Sequence, residues 1–92
     1  MYQAHIFVHG LVQGVGFRKF VKYHAKKRLV TGWVQNLSDG RVEAILQSED
    51  KQAIEAIINA AYKGPYLSDV TGIETHWDAP EGHFLEFEIR KG

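Results

Sequence analysis

Gly10, Gly14 and Gly16 fall within the run GLVQGVGFRKF and lead straight into Phe17 and Arg18, with no Cys, Ser, Lys or Asp placed as a nucleophile. A loop passing from a strand into a helix N-terminus presents several unpaired backbone N–H groups, and glycines let them converge because no Cβ intervenes. The guest suited to such a ring is an oxyanion. Arg18 can add what amides lack, a full charge on a planar fork that grips two phosphate or carboxylate oxygens. The same residues also suit a plain tight turn beside a solvated arginine, so the loop alone supports both readings. A second constellation is GWVQNLSDG, with Asn36 four residues before Gly40. An asparagine offers a donor and an acceptor without charge and can hold a water by one side and a substrate oxygen by the other. Its plainer reading is a hairpin residue tied to its own turn.

Other glycine-loop chemistries fail on detail. A kinase-type phosphate loop needs Gly-Lys followed by Ser or Thr, whereas Gly16 is followed by Phe17 and Arg18. A dinucleotide fingerprint starting at Gly14 would want a glycine where Lys19 stands. In a Cys-x5-Arg phosphatase cradle the cysteine would fall at Val12. The run QGVGFRKF superficially matches the aromatic signature of an RNA-recognition motif. That signature works from a strand, however, and here the segment opens a helix and RVEAILQ carries no aromatic. His5 and His9 share a strand face but span about 13 Å, too far for one ion. His76 and His83 flank a turn without a third partner, so no metal is expected.

These residues need elements to hold them. Ala4, Ile6 and Val8 alternate with Gln3, His5 and Phe7, which predicts a strand. Phe17, Phe20, Val21, Ala25 and Leu29 recur at helical steps. TGWVQNLSDGRVEAILQ reads as a hairpin turning at Ser38 to Gly40. SEDKQAIEAIINAAYKGP reads as a helix, with the stripe Ala53, Ile54, Ile57, Ile58 and Ala61 and a stop at Lys63 to Pro65. Ser48 stands ready as its N-cap, and Glu49 and Asp50 suit its positive end. Val70 to Trp77 alternates again, and Leu85, Phe87 and Ile89 make a closing strand. The order is β-α-β-β-α-β with one additional strand. It predicts an α+β, ferredoxin-like α/β sandwich with two helices on one face of a mostly antiparallel sheet. Trp33, Trp77 and Phe84 are expected in its core.

With 92 residues, 45% of them apolar, the chain has material for one core, and residues 1–92 are expected to form one domain. Lys plus Arg and Asp plus Glu both number 11, so no whole-molecule field steers it toward nucleic acid. The basic run Arg18, Lys19, Lys22, Lys26, Lys27 and Arg28 reads as a solvated helix face. There is no cysteine, which excludes disulfides and thiol catalysis and suits a reducing cytosol. No apolar run approaches the roughly 20 residues of a bilayer span, and no signal sequence follows Met1. A cytoplasmic monomer without nucleic-acid or membrane partners is expected.

Taken together, HGLVQGVGFRKFV and GWVQNLSDGRVE resemble the phosphate-binding loop and the second signature of the acylphosphatase family, in that family's order and separation. The resemblance runs over nearly the whole chain. It implies that the loop amides from Gln13, Gly14, Val15, Gly16 and Phe17 through Arg18 bind phosphate, that Arg18 is the catalytic arginine and that Asn36 positions the attacking water. It implies a cofactor-free, metal-free hydrolase of carboxylic acyl phosphates whose partners are the small-molecule acyl phosphate and inorganic phosphate. Two departures stand out. Arg28, Leu29 and Val30 occupy a place where the family usually has Leu-Gly-Leu, so the glycine cap of the first helix is lost, and Ser48 stands where a glycine is common. Two alternatives remain at this stage. One is a non-catalytic, anion-sensing domain of the same fold. The other is the carbamoyl-phosphate-handling domain of a larger hydrogenase-maturation factor, which the absence of zinc-binding cysteines and of a further domain argues against.

Overall fold

The computed structural model describes residues 1–91. In chain order the elements are β1 (Tyr2–Leu11), α1 (Phe17–Lys27), β2 (Thr31–Asn36), β3 (Val42–Ser48), α2 (Lys51–Lys63), β4 (Asp69–Asp78) and β5 (Phe87–Arg90). The strands form one sheet in the order β4-β1-β3-β2-β5, antiparallel throughout except for the parallel pair β2 and β5. This is the ferredoxin-like α+β sandwich, with β5 as the additional strand at one edge.

Alternation builds the core from the first strand. Ala4, Ile6 and Val8 oppose Leu46, Ala44 and Val42 across the β1–β3 ladder, and all six are buried. Phe17, Val21 and Ala25 of α1 and Ile54, Ile57, Ile58 and Ala61 of α2 close over this face. Each Val, Ile, Leu or Phe side chain among them contributes about 1.5–3 kcal/mol when fully buried, so this one face supplies most of the drive to fold. Among the described residues no helix is long and apolar enough to cross a membrane.

Four expectations need correction. Leu29 lies outside α1 and is 86% exposed. The helix ends two residues earlier, at Lys27, in a Schellman arrangement, with Val30 N–H donating to Ala25 O at 2.9 Å and Leu29 N–H to Lys26 O at 3.2 Å. That arrangement demands a left-handed residue, and Leu29 supplies it at φ 58° despite its side chain. Leu85 lies before β5 and is almost fully exposed. The N-cap of α2 is Asp50, whose Oδ1 accepts from Gln52 N–H at 3.0 Å, while Ser48 Oγ accepts from Asp50 N–H. The carboxylate wins because it sits next to the first helical residue and carries charge toward the dipole.

The tryptophans are not core residues. Trp33 is half-buried beneath the Arg90 guanidinium, 4.5 Å from the ring centroid, and exposed Trp77 carries the Lys51 ammonium at 4.8 Å. Phe84 is likewise only half-buried. Trp77 pairs with Ala4 and so sits on the helix-covered face, exposed at the edge strand β4, whereas among the described residues no helix covers the second face, where Trp33 meets a cation and solvent. The buried polar pair on that side is Gln3 and Gln47. Gln47 Nε2 donates to Gln3 Oε1 at 2.8 Å and to Gly82 O at 3.1 Å. The connection that delivers β5 is thereby fastened to the sheet.

Candidate active site

The glycine loop is pinned at its ends and free in its middle. Val12 and Phe17 are each 1% exposed and Val15 packs against the core, while Gly14 and Gly16 face outward. Both glycines take positive φ, 75° and 79°. A Cβ at either would meet nothing within 4 Å, so the requirement lies in the dihedral angle and not in crowding. Gly16 is the N-cap of α1 and has no side chain to cap it. The first helical hydrogen bond runs from Phe20 N–H to Gly16 O at 3.0 Å, so the N–H groups of Phe17, Arg18 and Lys19 are left over at the positive end of the helix. Among the described residues the amides from Gly14 to Phe17 have no acceptor either. Such a concave array is suited to an anion.

Arg18 is half-buried at the rim of this loop, and its Nη1 donates to the Arg90 carbonyl at 3.1 Å. One edge of the guanidinium is thus held by β5, and the other donors of its fork remain. Asn36, the last residue of β2, enters the same cleft, a space of about 290 Å³ lined also by Gly14, Gly16, Arg18 and Lys19. Its Oδ1 is buried and has no hydrogen-bond partner among the described residues. It is therefore not the turn tether that the plainer reading of the hairpin would require. The turn closes without it, through Leu37 N–H to Arg41 O at 2.8 Å and Gly40 N–H to Leu37 O at 3.2 Å. Buried acceptors are seldom left unpaired, and one on a residue that lines a cleft is suited to a bound donor.

Gln13 also acts through its side chain. Its side-chain Nε2 donates to Leu37 O at 2.7 Å and to Arg41 O at 3.0 Å, joining the glycine loop to the hairpin that carries Asn36. Neither this role nor that of the Arg90 carbonyl was legible from residue types, because a main-chain acceptor has no residue signature. The hairpin is further stiffened by Asp39, which pairs with Arg41 at 2.8 Å. Hydrogen bonds from the Arg41 side chain and backbone hold the Asp39 carboxyl below its usual range.

The acylphosphatase family model matches residues 4–89. The chain belongs to the acylphosphatase family. An acylphosphatase of Thermococcus kodakarensis is 48% identical over 80 residues, 87% of this chain and 87% of that protein. The crystal structure of acylphosphatase from Bacillus subtilis superposes with a TM-score of 0.94 at 39% identity, covering 98% of this chain and 99% of the other. A crystal structure of T. kodakarensis HypF matches all of this chain but 12% of its own, with a TM-score of 0.88 and 35% identity. Membership makes this acylphosphatase-family chain an enzyme, a hydrolase of acyl phosphates. The loop and Asn36 line one cleft.

Proposed function

We propose that the phosphoryl group of an acyl phosphate is held by the main-chain N–H groups from Gln13 to Arg18 together with the Arg18 guanidinium, and that Asn36 aims the water that attacks it. The unpartnered, buried Oδ1 of Asn36, a residue that lines the same cleft as Arg18 and the glycine loop, is the observation that carries this reading. The water oxygen forms a bond to phosphorus in line with the acyl oxygen, and the P–O bond to that oxygen breaks with its electron pair. A carboxylate leaves without needing a proton, so no general acid is required. Asn36 is no base; the proton of the water passes to a phosphate oxygen of the substrate. What the protein supplies is position and charge stabilisation, which dominate phosphoryl transfer. The same economy makes a metal or cofactor unnecessary.

The reading extends to one domain over residues 1–92 working as a cytoplasmic monomer. It is supported by a cleft built from a single chain and by the lack of cysteine. Neither nucleic acid nor a membrane is needed as a partner. A second reading, a carbamoyl-phosphate-handling domain of a larger maturation factor, is favoured by the likeness to HypF. The match to 87% of the Thermococcus acylphosphatase favours the free hydrolase.

The test compares benzoyl, acetyl and carbamoyl phosphate with a phosphate monoester. Hydrolysis of the first two and not of the monoester is expected, and exclusive use of carbamoyl phosphate would favour the second reading. Asn36→Ala should lower kcat by about 10²–10³ while leaving inhibition by inorganic phosphate unchanged. Equal loss of phosphate binding and turnover would make Asn36 a structural residue and refute the assignment.

A further inference from the structure

The cleft of Arg18 and Asn36 has an apolar wall as well as a polar floor. Val12 and Phe17 line it but are 1% exposed, so they offer a bound molecule little more than an edge. Ile89 lines it at 36% exposure. Register explains its place. Ile89 pairs with Val34 in the parallel β2–β5 ladder and so projects on the same face as Val34 and Asn36. One residue later the Arg90 carbonyl takes the hydrogen bond from Arg18, which holds this end of β5 beside the guanidinium.

A phosphoryl group has no use for an isoleucine. Its oxygens are met by N–H groups, while the carbon part of the substrate must lie against something else at the mouth of the cleft. Strand rise and spacing put the Cα of Ile89 about 8 Å from that of Asn36, room for a water at one end and a carbon substituent at the other. We propose that Ile89 is the wall against which the acyl group packs, and that it favours acyl phosphates with an apolar, ring-sized acyl part over the smallest ones. This inference rests on the acyl-phosphate reading above and adds to it the class of acyl group.

The experiment measures kcat/KM of the full chain for benzoyl and acetyl phosphate, with the inhibition constant of inorganic phosphate beside them. Ile89→Ala removes roughly two methylene-sized contacts at a partly open site and should lower benzoyl phosphate turnover about fivefold. Acetyl phosphate should change by less than about twofold, since its methyl group reaches little of the wall. Phosphate inhibition should stay as it is. Ile89→Leu keeps the volume on β5 and should hold the benzoyl preference within about twofold, which separates contact from strand damage. An equal fall for both substrates, or no change for either, in an active wild-type background would overturn the acyl wall and leave the hydrolase reading intact. A wild-type chain inert toward both substrates would overturn the hydrolase reading and this inference with it.

Discussion

Leu29 offers a clean test of how the first helix ends, through its replacement by glycine. The residue holds φ 58° in the left-handed position of the Schellman motif. For a residue with a Cβ that conformation costs about 1–2 kcal/mol. Glycine removes the strain but loses about 0.4–1 kcal/mol through the larger freedom of its unfolded chain. Little burial is forfeited, because Leu29 is 86% exposed. The balance is a gain of about 0.5–1 kcal/mol, which in a domain of this size raises Tm by roughly 2–8 °C. Thermal unfolding followed by far-ultraviolet circular dichroism, with urea midpoints at pH 7, measures it. Leu29→Ala is the control, since alanine keeps the Cβ and the strain and should stay near wild type. Two results would refute the reasoning: a Leu29→Gly variant no more stable than wild type, or an alanine variant that gains as much as the glycine one. The latter would trace the gain to the removal of an exposed hydrophobe.

Three further outcomes are expected. Arg18→Ala should lower kcat by about 10²–10³ and weaken inhibition by inorganic phosphate, and unchanged phosphate affinity would defeat the anion cradle. Gln13→Leu deletes the two bonds between loop and hairpin and should cost about 1–2 kcal/mol in urea unfolding with roughly tenfold lower kcat; full activity would show that the tie does not set the geometry. The pKa of His24 is lowered by burial first, then by the charges of Arg28 and Lys27. The unfolded state therefore takes up its proton at higher pH than the folded one. The associated stability is present above about pH 6.5 and is lost as pH falls below it. His24→Gln should show a smaller drop in urea midpoint from pH 7.5 to 5.5 than wild type, and identical drops would remove His24 as a cause.

Where periodicity and burial coincide, the fold was legible. The alternation of Ala4, Ile6 and Val8 and the stripe from Ile54 to Ala61 each have one covered face, so hydrophobic spacing and structure agree. Trp33 and Trp77 misled because size suggests a core position, while Trp33 lies on the face that has no helix above it among the described residues and Trp77 on the edge strand β4, and their rings are served by Arg90 and Lys51. Ser48 and Asp50 are both good caps, and only the geometry of the first turn decides between them. Leu29 was visible as a missing glycine, but that it would keep the glycine's backbone angle was not, because the four-residue and six-residue closures onto Lys26 and Ala25 override side-chain preference. In the cleft, the residue types at Gly14, Gly16, Arg18 and Asn36 were readable. The contacts that orient them were not, since Gln13 and Arg18 both bond to main-chain carbonyls distant in sequence.

The bond from Arg18 to the Arg90 carbonyl joins residues 72 positions apart. On a ribosome the guanidinium emerges long before its tether, and at about 5–20 residues per second the wait is roughly 4–14 s. A nascent chain can therefore assemble the glycine loop and the hairpin and still leave its arginine to swing freely. On the proposed role of Arg18, catalytic competence should arrive with the final strand, so a turnover assay on a translating or refolding population should report the last step of assembly and not the first.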